Sequence, residues 1–209
     1  MGEWEEIMKL GVLYSGGKDS NYSAFLAKRY GHEIVCLITL FSENPESYMF
    51  QTQGLEMTKK QAAAMGIPQI MQKTKGVKEE ELDDLETAIK KAIKEYGIGG
   101  VVTGAVESTY QASRVQRITN ELGIECFNPL WQKDAEEYWK EMLAEGFKIK
   151  IVHTAAEGLG EGWVGRMINE ENFEELKKLS EKHKFHLGFE GGEAETIVLW
   201  QPMFKEKIK

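Results

Sequence analysis

Short apolar runs of strand length alternate along the chain with longer stretches in which apolar positions return at helical spacing. The runs "KLGVLY" (Lys9 to Tyr14), "EIVCLITL" (Glu33 to Leu40), "PQIMQK" (Pro68 to Lys73), "GVVTGA" (Gly100 to Ala105) and "KIKIVHT" (Lys148 to Thr154) predict strands. Helices are predicted over Ser20 to Tyr30, Gly54 to Met65, Lys78 to Tyr96, Thr109 to Leu122, Asp134 to Leu143 and Glu171 to His183. Gly31, Gly66, Gly97, Gly123 and Gly146 stand where a left-handed residue would stop a helix. This alternation predicts an α/β fold with a largely parallel sheet. The rhythm changes near "FNPLWQKD", Phe127 to Asp134, after which come a Gly-rich loop, a helix and a final apolar run, "ETIVLWQPMF". A core over residues 1–130 and a smaller C-terminal part over 131–209 are therefore expected.

Composition narrows the function classes. The chain of 209 residues can bury a sizeable core. Its net charge is −8 and it has no long basic tract, which disfavours a nucleic-acid partner. Lys and Glu outnumber Arg and Asp, a bias of heat-adapted proteins. Two cysteines, Cys36 and Cys126, lie in apolar stretches without metal-ligand spacing, so both are expected as reduced buried thiols. No apolar run approaches the length of a membrane span, and "MGEWEEIM" is too acidic and too short for a signal peptide. A cytoplasmic protein with no membrane contact is expected, and a homo-oligomer is compatible with this pattern.

The stretch with the densest chemistry is "YSGGKDS", Tyr14 to Ser20, between the first strand and the first helix. Such a junction gathers backbone N–H groups and the positive end of a helix around one point, which suits an anion. Gly16 and Gly17 permit close backbone approach, Lys18 adds positive charge, and Ser15 and Ser20 add hydroxyls. Asp19 would repel a phosphate unless a divalent cation intervened, which assigns it to Mg²⁺. A Walker A loop does not fit: with Gly11 and Gly16 at its glycines, Gly17 stands where lysine is required. A turn with glycines for geometry alone accounts for the glycines but not for lysine, aspartate and two serines together.

Three further stretches bear on the site. "VTGAVESTYQASRVQR" (Val102 to Arg117) follows a predicted strand and enters a helix, which brings Ser108, Tyr110, Gln111 and Arg114 to the sheet edge that carries the first loop. Two of the chain's four arginines, Arg114 and Arg117, are spaced for one helix face. "NPLW" (Asn128 to Trp131) reads as a turn with an aromatic. "GFEGGEAETIVLW" (Gly188 to Trp200) sets Glu190, Glu193 and Glu195 around two glycines, with Glu193 and Glu195 on one face if extended. "GEGWVG" (Gly160 to Gly165) matches a dinucleotide-loop spacing but lies late in the chain and carries a Trp in the turn, so a Gly-rich flap beside the site is expected instead.

"SGGKDS" resembles the PP-loop of the ATP pyrophosphatases. Together with "GAVESTYQASRV", "NPLW" and "EGGEAET", in this order over nearly the whole chain, it resembles the diphthine–ammonia ligases, or diphthamide synthases, of the short archaeal type. The resemblance implies an open, mostly parallel sheet with helices on both faces, an ATP-binding domain over 1–130 and a substrate-binding subdomain over 131–209. It implies amidation of the diphthine carboxylate on translation elongation factor 2, using ATP with Mg²⁺ and ammonium, through an acyl-adenylate with release of AMP and pyrophosphate. By position, Ser15, Gly16, Gly17, Lys18, Asp19, Ser20 and Gly104 would bind ATP. Ser108, Tyr110, Gln111, Arg114, Glu190, Glu193 and Glu195 would line the substrate side. Lys18, Asp19 and Arg114 are the catalytic candidates, with Lys18 stabilising the leaving pyrophosphate. The chain departs from the family pattern at Gln116, where an acidic residue is expected, and at Ala194, where an aromatic is. Diphthine carries a trimethylammonium group, which carboxylates and aromatic faces hold; the Glu cluster, Tyr110, Trp131 and Trp200 are candidates, with core packing favoured for Trp200. A tRNA-modifying PP-loop enzyme and a non-catalytic nucleotide sensor are the alternative readings.

Overall fold

The structure is a computed structural model that describes residues 6–42, 54–75 and 80–208. Its elements are β1 (Lys9–Leu13), α1 (Lys18–Arg29), β2 (Glu33–Ser42), α2 (Leu55–Met65), β3 (Gln69–Thr74), α3 (Glu80–Tyr96), β4 (Gly100–Val102), α4 (Thr109–Leu122), β5 (Glu125–Phe127), α5 (Ala135–Ala144), β6 (Lys148–Thr154), β7 (Met167–Ile168), α6 (Glu170–His183) and β8 (Ala194–Trp200), with a single 3-10 turn at Glu161–Trp163. The expected helix start at Lys78 and the first residues of "MGEWEEIM" lie outside the described residues.

Five parallel strands form the main sheet in the order β3-β2-β1-β4-β5. Side chains alternate across it. Leu10, Val12, Leu37 and Val102 pack with α1 and α2 on one face, while Cys36, Ile38, Ile70 and Val101 pack with α3 and α4 on the other. The α/β fold with a parallel sheet is thus as the alternation of runs predicts, and the helices on both faces are as the resemblance implies. β1 is central, and the chain lays β2 and β3 on one side of it before crossing to β4 and β5 on the other. The order therefore reverses between β1 and β4, and the C-terminal ends of those two strands diverge around a crevice. The five helix-ending glycines expected from the sequence all have positive φ, from 65° at Gly97 to 97° at Gly31. Cys36 is buried, Cys126 half-buried, and both are free thiols. Among the described residues no helix is long and apolar enough to cross a membrane.

Three strand expectations need correction. "KIKIVHT" does not join the parallel sheet: β6 pairs antiparallel with β7 and β8 in a second sheet of order β7-β6-β8. Its residues alternate, with Ile149 and Ile151 fully buried and Lys148 exposed, the mark of a strand covered on one face only. β5 goes unpredicted because it has three residues of which Phe127 alone is buried. β4 stops at Val102, and Thr103 to Ala105 turn into the crevice. The apolar core on the α1 face continues without a break into the C-terminal part, through Tyr138, Trp139, Phe147 and Phe173.

Candidate active site

The "SGGKDS" loop is shorter than expected, because α1 begins at Lys18 and so takes Lys18 and Asp19 into its first turn. Gly16 sits at φ +83°, which a residue with a side chain adopts only with strain. Gly17 is the extended N-cap and gives no side-chain cap, so the positive end of α1 is left to the crevice, where Asp19 and Ser20 lie. Ser15 Oγ is 3.3 Å from Ser20 Oγ, which brings both hydroxyls to one side. Gly104, at the end of β4, backs directly onto this turn: a Cβ there would lie 3.0 Å from Ser20 N and 3.1 Å from Asp19 C.

The crevice is a cleft of about 510 Å³ with a mixed lining. Leu13, Ile38, Leu40, Leu55 and Val115 bring apolar side chains to the lining, and Ser15, Asp19, Ser20, Thr39, Thr58, Thr103, Gln111 and Glu190 bring polar ones. "NPLW" supports the lining from behind, since Thr103 Oγ1 donates to Asn128 Oδ1. The last part of the lining comes from Phe189 to Gly192, the loop before β8.

Lys18 corrects the expectation of a mobile loop charge. It is 1% exposed, and its Nζ lies 2.7 Å from both Asp19 carboxylate oxygens and 2.6 Å from the Gly188 carbonyl oxygen. The rings of Tyr138, Trp139 and Phe189 surround the ammonium at 5.4–5.6 Å. Lys18 is therefore not in the cleft wall but directly behind Asp19, which is. Glu190 completes a pair of carboxylates on that wall. Burial first, and then the negative charge of Asp19, push its carboxyl above the ordinary range, while an N–H bond from Glu107 (3.2 Å) acts the other way. Burial and the Asp19 charge also push the Tyr138 phenol up.

The raised Glu190 carboxyl has a consequence for stability. A carboxyl raised in the folded state is cheapest when protonated, so its contribution is fully present below the unfolded carboxylate range and is lost as pH rises through the folded value. Glu190→Gln is expected to raise the melting temperature of the ligand-free protein at neutral pH by on the order of a degree or two. The advantage should vanish as pH falls through the carboxylate range. A melting temperature that drops at neutral pH would show that Glu190 is held by favourable partners instead.

The remaining candidates divide. Ser108 and Gln111 line the cleft, and Ser108 also caps α4 by accepting the Gln111 N–H. Tyr110 and Arg114 stand outside the lining and engage each other, the Arg114 guanidinium lying 3.3 Å from the Tyr110 ring centre. That ring face is thus already occupied by a cation. Arg117 is exposed, 4.0 Å from Glu121. Gly16 and Gly17 shape the loop without lining the cleft. Glu193 precedes β8 rather than lying in it, and its carboxylate accepts the N–H groups of His186 (3.0 Å) and Gly191 (2.8 Å), bracing the loop that carries Glu190. Glu195 lies in β8 opposite His153 and outside the lining. Trp131 and Trp200 are also outside it; Trp200 packs edge-on against Phe204. The segment expected as a flap instead makes the 3-10 turn, anchored by buried Trp163, and contributes nothing to the cleft.

Sequence reasoning missed Ile38 to Leu40, Leu55, Thr58 and Phe189 in the lining. A signal existed for the first group: in an open parallel sheet the strand beside the loop-bearing strand ends at the same crevice.

A diphthamide synthase N-terminal domain model matches residues 8–126, and a diphthamide synthase C-terminal domain model matches residues 134–209. The chain belongs to the diphthamide synthase family. Relatives named diphthine–ammonia ligase include those of mouse (34% identical), human (32%) and fission yeast (33%), each matched over 96% of this chain. The matched region spans 82% of the mouse and human proteins and 36% of the fission yeast one. A crystal structure from Methanocaldococcus jannaschii, described as a predicted subunit of tRNA methyltransferase, shares the fold at 18% identity with a TM-score of 0.50, over 97% of this chain and 100% of that one. Both regions matched by the diphthamide synthase models build the cleft: the first supplies its floor and Asp19, the second Phe189 to Gly192.

Proposed function

We propose that this chain forms the amide of diphthamide by ATP-dependent ligation of ammonium to the diphthine carboxylate of translation elongation factor 2, in the cytosol. Family membership makes it an ATP-dependent ligase. The observation that carries the reading is the cleft of mixed apolar and polar lining at the point where strand order reverses. The apolar side chains from β1, β2 and α2 suit a nucleotide base. The hydroxyls of Ser15 and Ser20 and the end of α1 suit phosphate oxygens.

The acceptor carboxylate oxygen bonds to the α phosphorus of ATP as the bond to the β-phosphate oxygen breaks, and pyrophosphate leaves. Ammonia nitrogen then bonds to the acyl carbon, AMP leaves with the electron pair of the broken C–O bond, and the nitrogen loses a proton to solvent. Asp19 and Glu190 are the residues that would hold Mg²⁺. Two hard-oxygen donors lie together in the lining, and Glu190 is raised by burial first and then by the charge of Asp19, a conflict a cation would relieve. Among the described residues no cluster of three ligating side chains forms, which suits an ion that takes its other ligands from phosphates and water. Bound there, Mg²⁺ supplies neutralisation of phosphate charge. Lys18 acts from behind, fixing Asp19 and tying it to Gly188 in the loop that carries Glu190. Glu190 is the one carboxylate of its cluster in the cleft lining, and Glu193 and Glu195 act through the loop and strand that position it.

Incubation with ATP, Mg²⁺, ammonium and diphthine-bearing elongation factor 2 tests this. AMP and pyrophosphate should form in equal amounts, with conversion of acid to amide in the intact mass of the factor. ADP and phosphate as products would sink the adenylation step. Nucleotide binding without turnover would make the chain a sensor.

A further inference from the structure

The phosphate loop is held from outside by two distant elements. The Gly16 carbonyl oxygen accepts from Gln61 Nε2 of α2 at 2.9 Å and from the Val198 N–H of β8 at 3.3 Å. Gln61 Nε2 donates also to the Val198 carbonyl at 2.8 Å, so one amide group joins the loop to the second sheet. A further tie follows two residues away on β8, where Thr196 Oγ1 accepts the Lys18 N–H at 3.1 Å.

Gln61 is fully buried, and its Oε1 has no hydrogen-bond partner among the described residues. An orphaned buried oxygen is a poor choice for stability alone, since methionine would fill the same space without one. What glutamine adds is a pair of N–H groups aimed at two carbonyls on different elements. The reason lies in the peptide it holds. A trans peptide sends its C=O and N–H in opposite directions. With the Gly16 carbonyl drawn toward α2 and β8, the Gly17 N–H turns to the other side, where Ser15 Oγ lies 3.4 Å away and lines the cleft. A peptide between two glycines flips easily, because neither residue carries a Cβ to resist it. Flipped, it would lose the N–H it donates to Ser15 Oγ and turn a carbonyl oxygen toward that cleft-lining hydroxyl instead.

We propose that Gln61 is a positioning residue that locks the Gly16–Gly17 peptide in its anion-receiving orientation. This rests on the nucleotide reading of the cleft, and the test keeps the two apart. ATP affinity is measured by calorimetry for the wild type, Gln61→Met and Gln61→Glu, beside melting temperature and the split of KM for ATP against kcat. Gln61→Met keeps the volume and removes both N–H groups; its ATP affinity should fall about tenfold, mainly in KM, with a small change in melting temperature. Gln61→Glu sets a carboxylate against two carbonyl oxygens. Its affinity relative to wild type should be poor at neutral pH and recover as pH falls and the protonated carboxyl regains one donor. ATP affinity of Gln61→Met equal to wild type, or a Gln61→Glu deficit that stays flat with pH, would reduce Gln61 to packing and overturn the proposal. If Gln61→Met does not fold, the pH course of Gln61→Glu decides alone. Wild-type protein that does not bind ATP would overturn the nucleotide reading, and the lock with it.

Discussion

Replacing Lys18 with methionine is expected to abolish ligation and lower stability together. The ammonium is enclosed by three rings and bonded to Asp19 and the Gly188 carbonyl, so its removal strands a carboxylate and an acceptor at the base of the cleft. Removing one partner of a fully buried pair costs about 3–5 kcal/mol. The Asp19 side chain is 27% exposed and partly screened by solvent, which brings the expected cost to about 2 kcal/mol. In a chain of this size that lowers the melting temperature by roughly 4–8 °C. Turnover should suffer far more. Asp19 loses the partner that aims it, the loop bearing Glu190 loses its anchor at Gly188, and positive charge is lost where pyrophosphate leaves. Assays well below both melting temperatures separate the two effects. AMP formation within a few fold of wild type, beside the lowered melting temperature, would show Lys18 to be a strut and nothing more.

The burial of Lys18 marks the limit of what the sequence discloses. "SGGKDS" reads as an anion loop because glycines, hydroxyls and opposite charges coincide where a strand meets a helix, and a local motif has a local reading. Where the lysine points is decided by Gly188, 170 residues further on, and by rings on α5. No spacing rule reaches that far. The Glu cluster failed differently: alternation places Glu193 and Glu195 on one face only if both lie in the strand, and β8 begins at Ala194, after Gly192 at φ +81°. Two features were legible and went unread. Tyr110 and Arg114 are i and i+4, the spacing that stacks side chains on a helix, and it is this pair rather than Arg114 and Arg117 that engages. The K-I-K-I of β6 alternates where β4, "GVV", is buried throughout, and that contrast separates a half-covered antiparallel strand from a central parallel one.

Such long-range ties also explain how two sheets serve one cleft. The loop before β8 brings Glu190, β8 itself grips the phosphate loop at Gly16 and Lys18, and the Lys18 side chain returns the contact at Gly188. On the proposed reading, the nucleotide end and the acceptor end of the site therefore share a frame. Displacement of one is felt at the other, which suits a reaction that must bring an α phosphate and a protein-borne carboxylate into line.

Gly104→Ala is expected to show how tightly that frame is built. Gly104 is not at positive φ, so alanine meets no backbone strain of its own, and its effect comes from the methyl group alone. That methyl would stand 3.0 Å from Ser20 N and 3.1 Å from Asp19 C, both backbone atoms of the first turn of α1, which no rotamer change can clear. Either β4 or the start of α1 must move by some tenths of an ångström. Overpacking of this kind costs about 1–3 kcal/mol, or roughly 2–12 °C in melting temperature. The larger effect falls on chemistry, because the displaced turn carries the α1 N–H groups and Asp19. Small misplacements of such groups cost about a hundredfold in rate, and kcat/KM for ATP should fall by about that factor. Gly31→Ala is the control: it lies at positive φ with nothing near its would-be Cβ, so it should lower the melting temperature and spare ATP use. If Gly104→Ala loses stability but keeps wild-type kcat/KM for ATP, the close approach of β4 to α1 is packing alone and the phosphate site must lie elsewhere in the cleft.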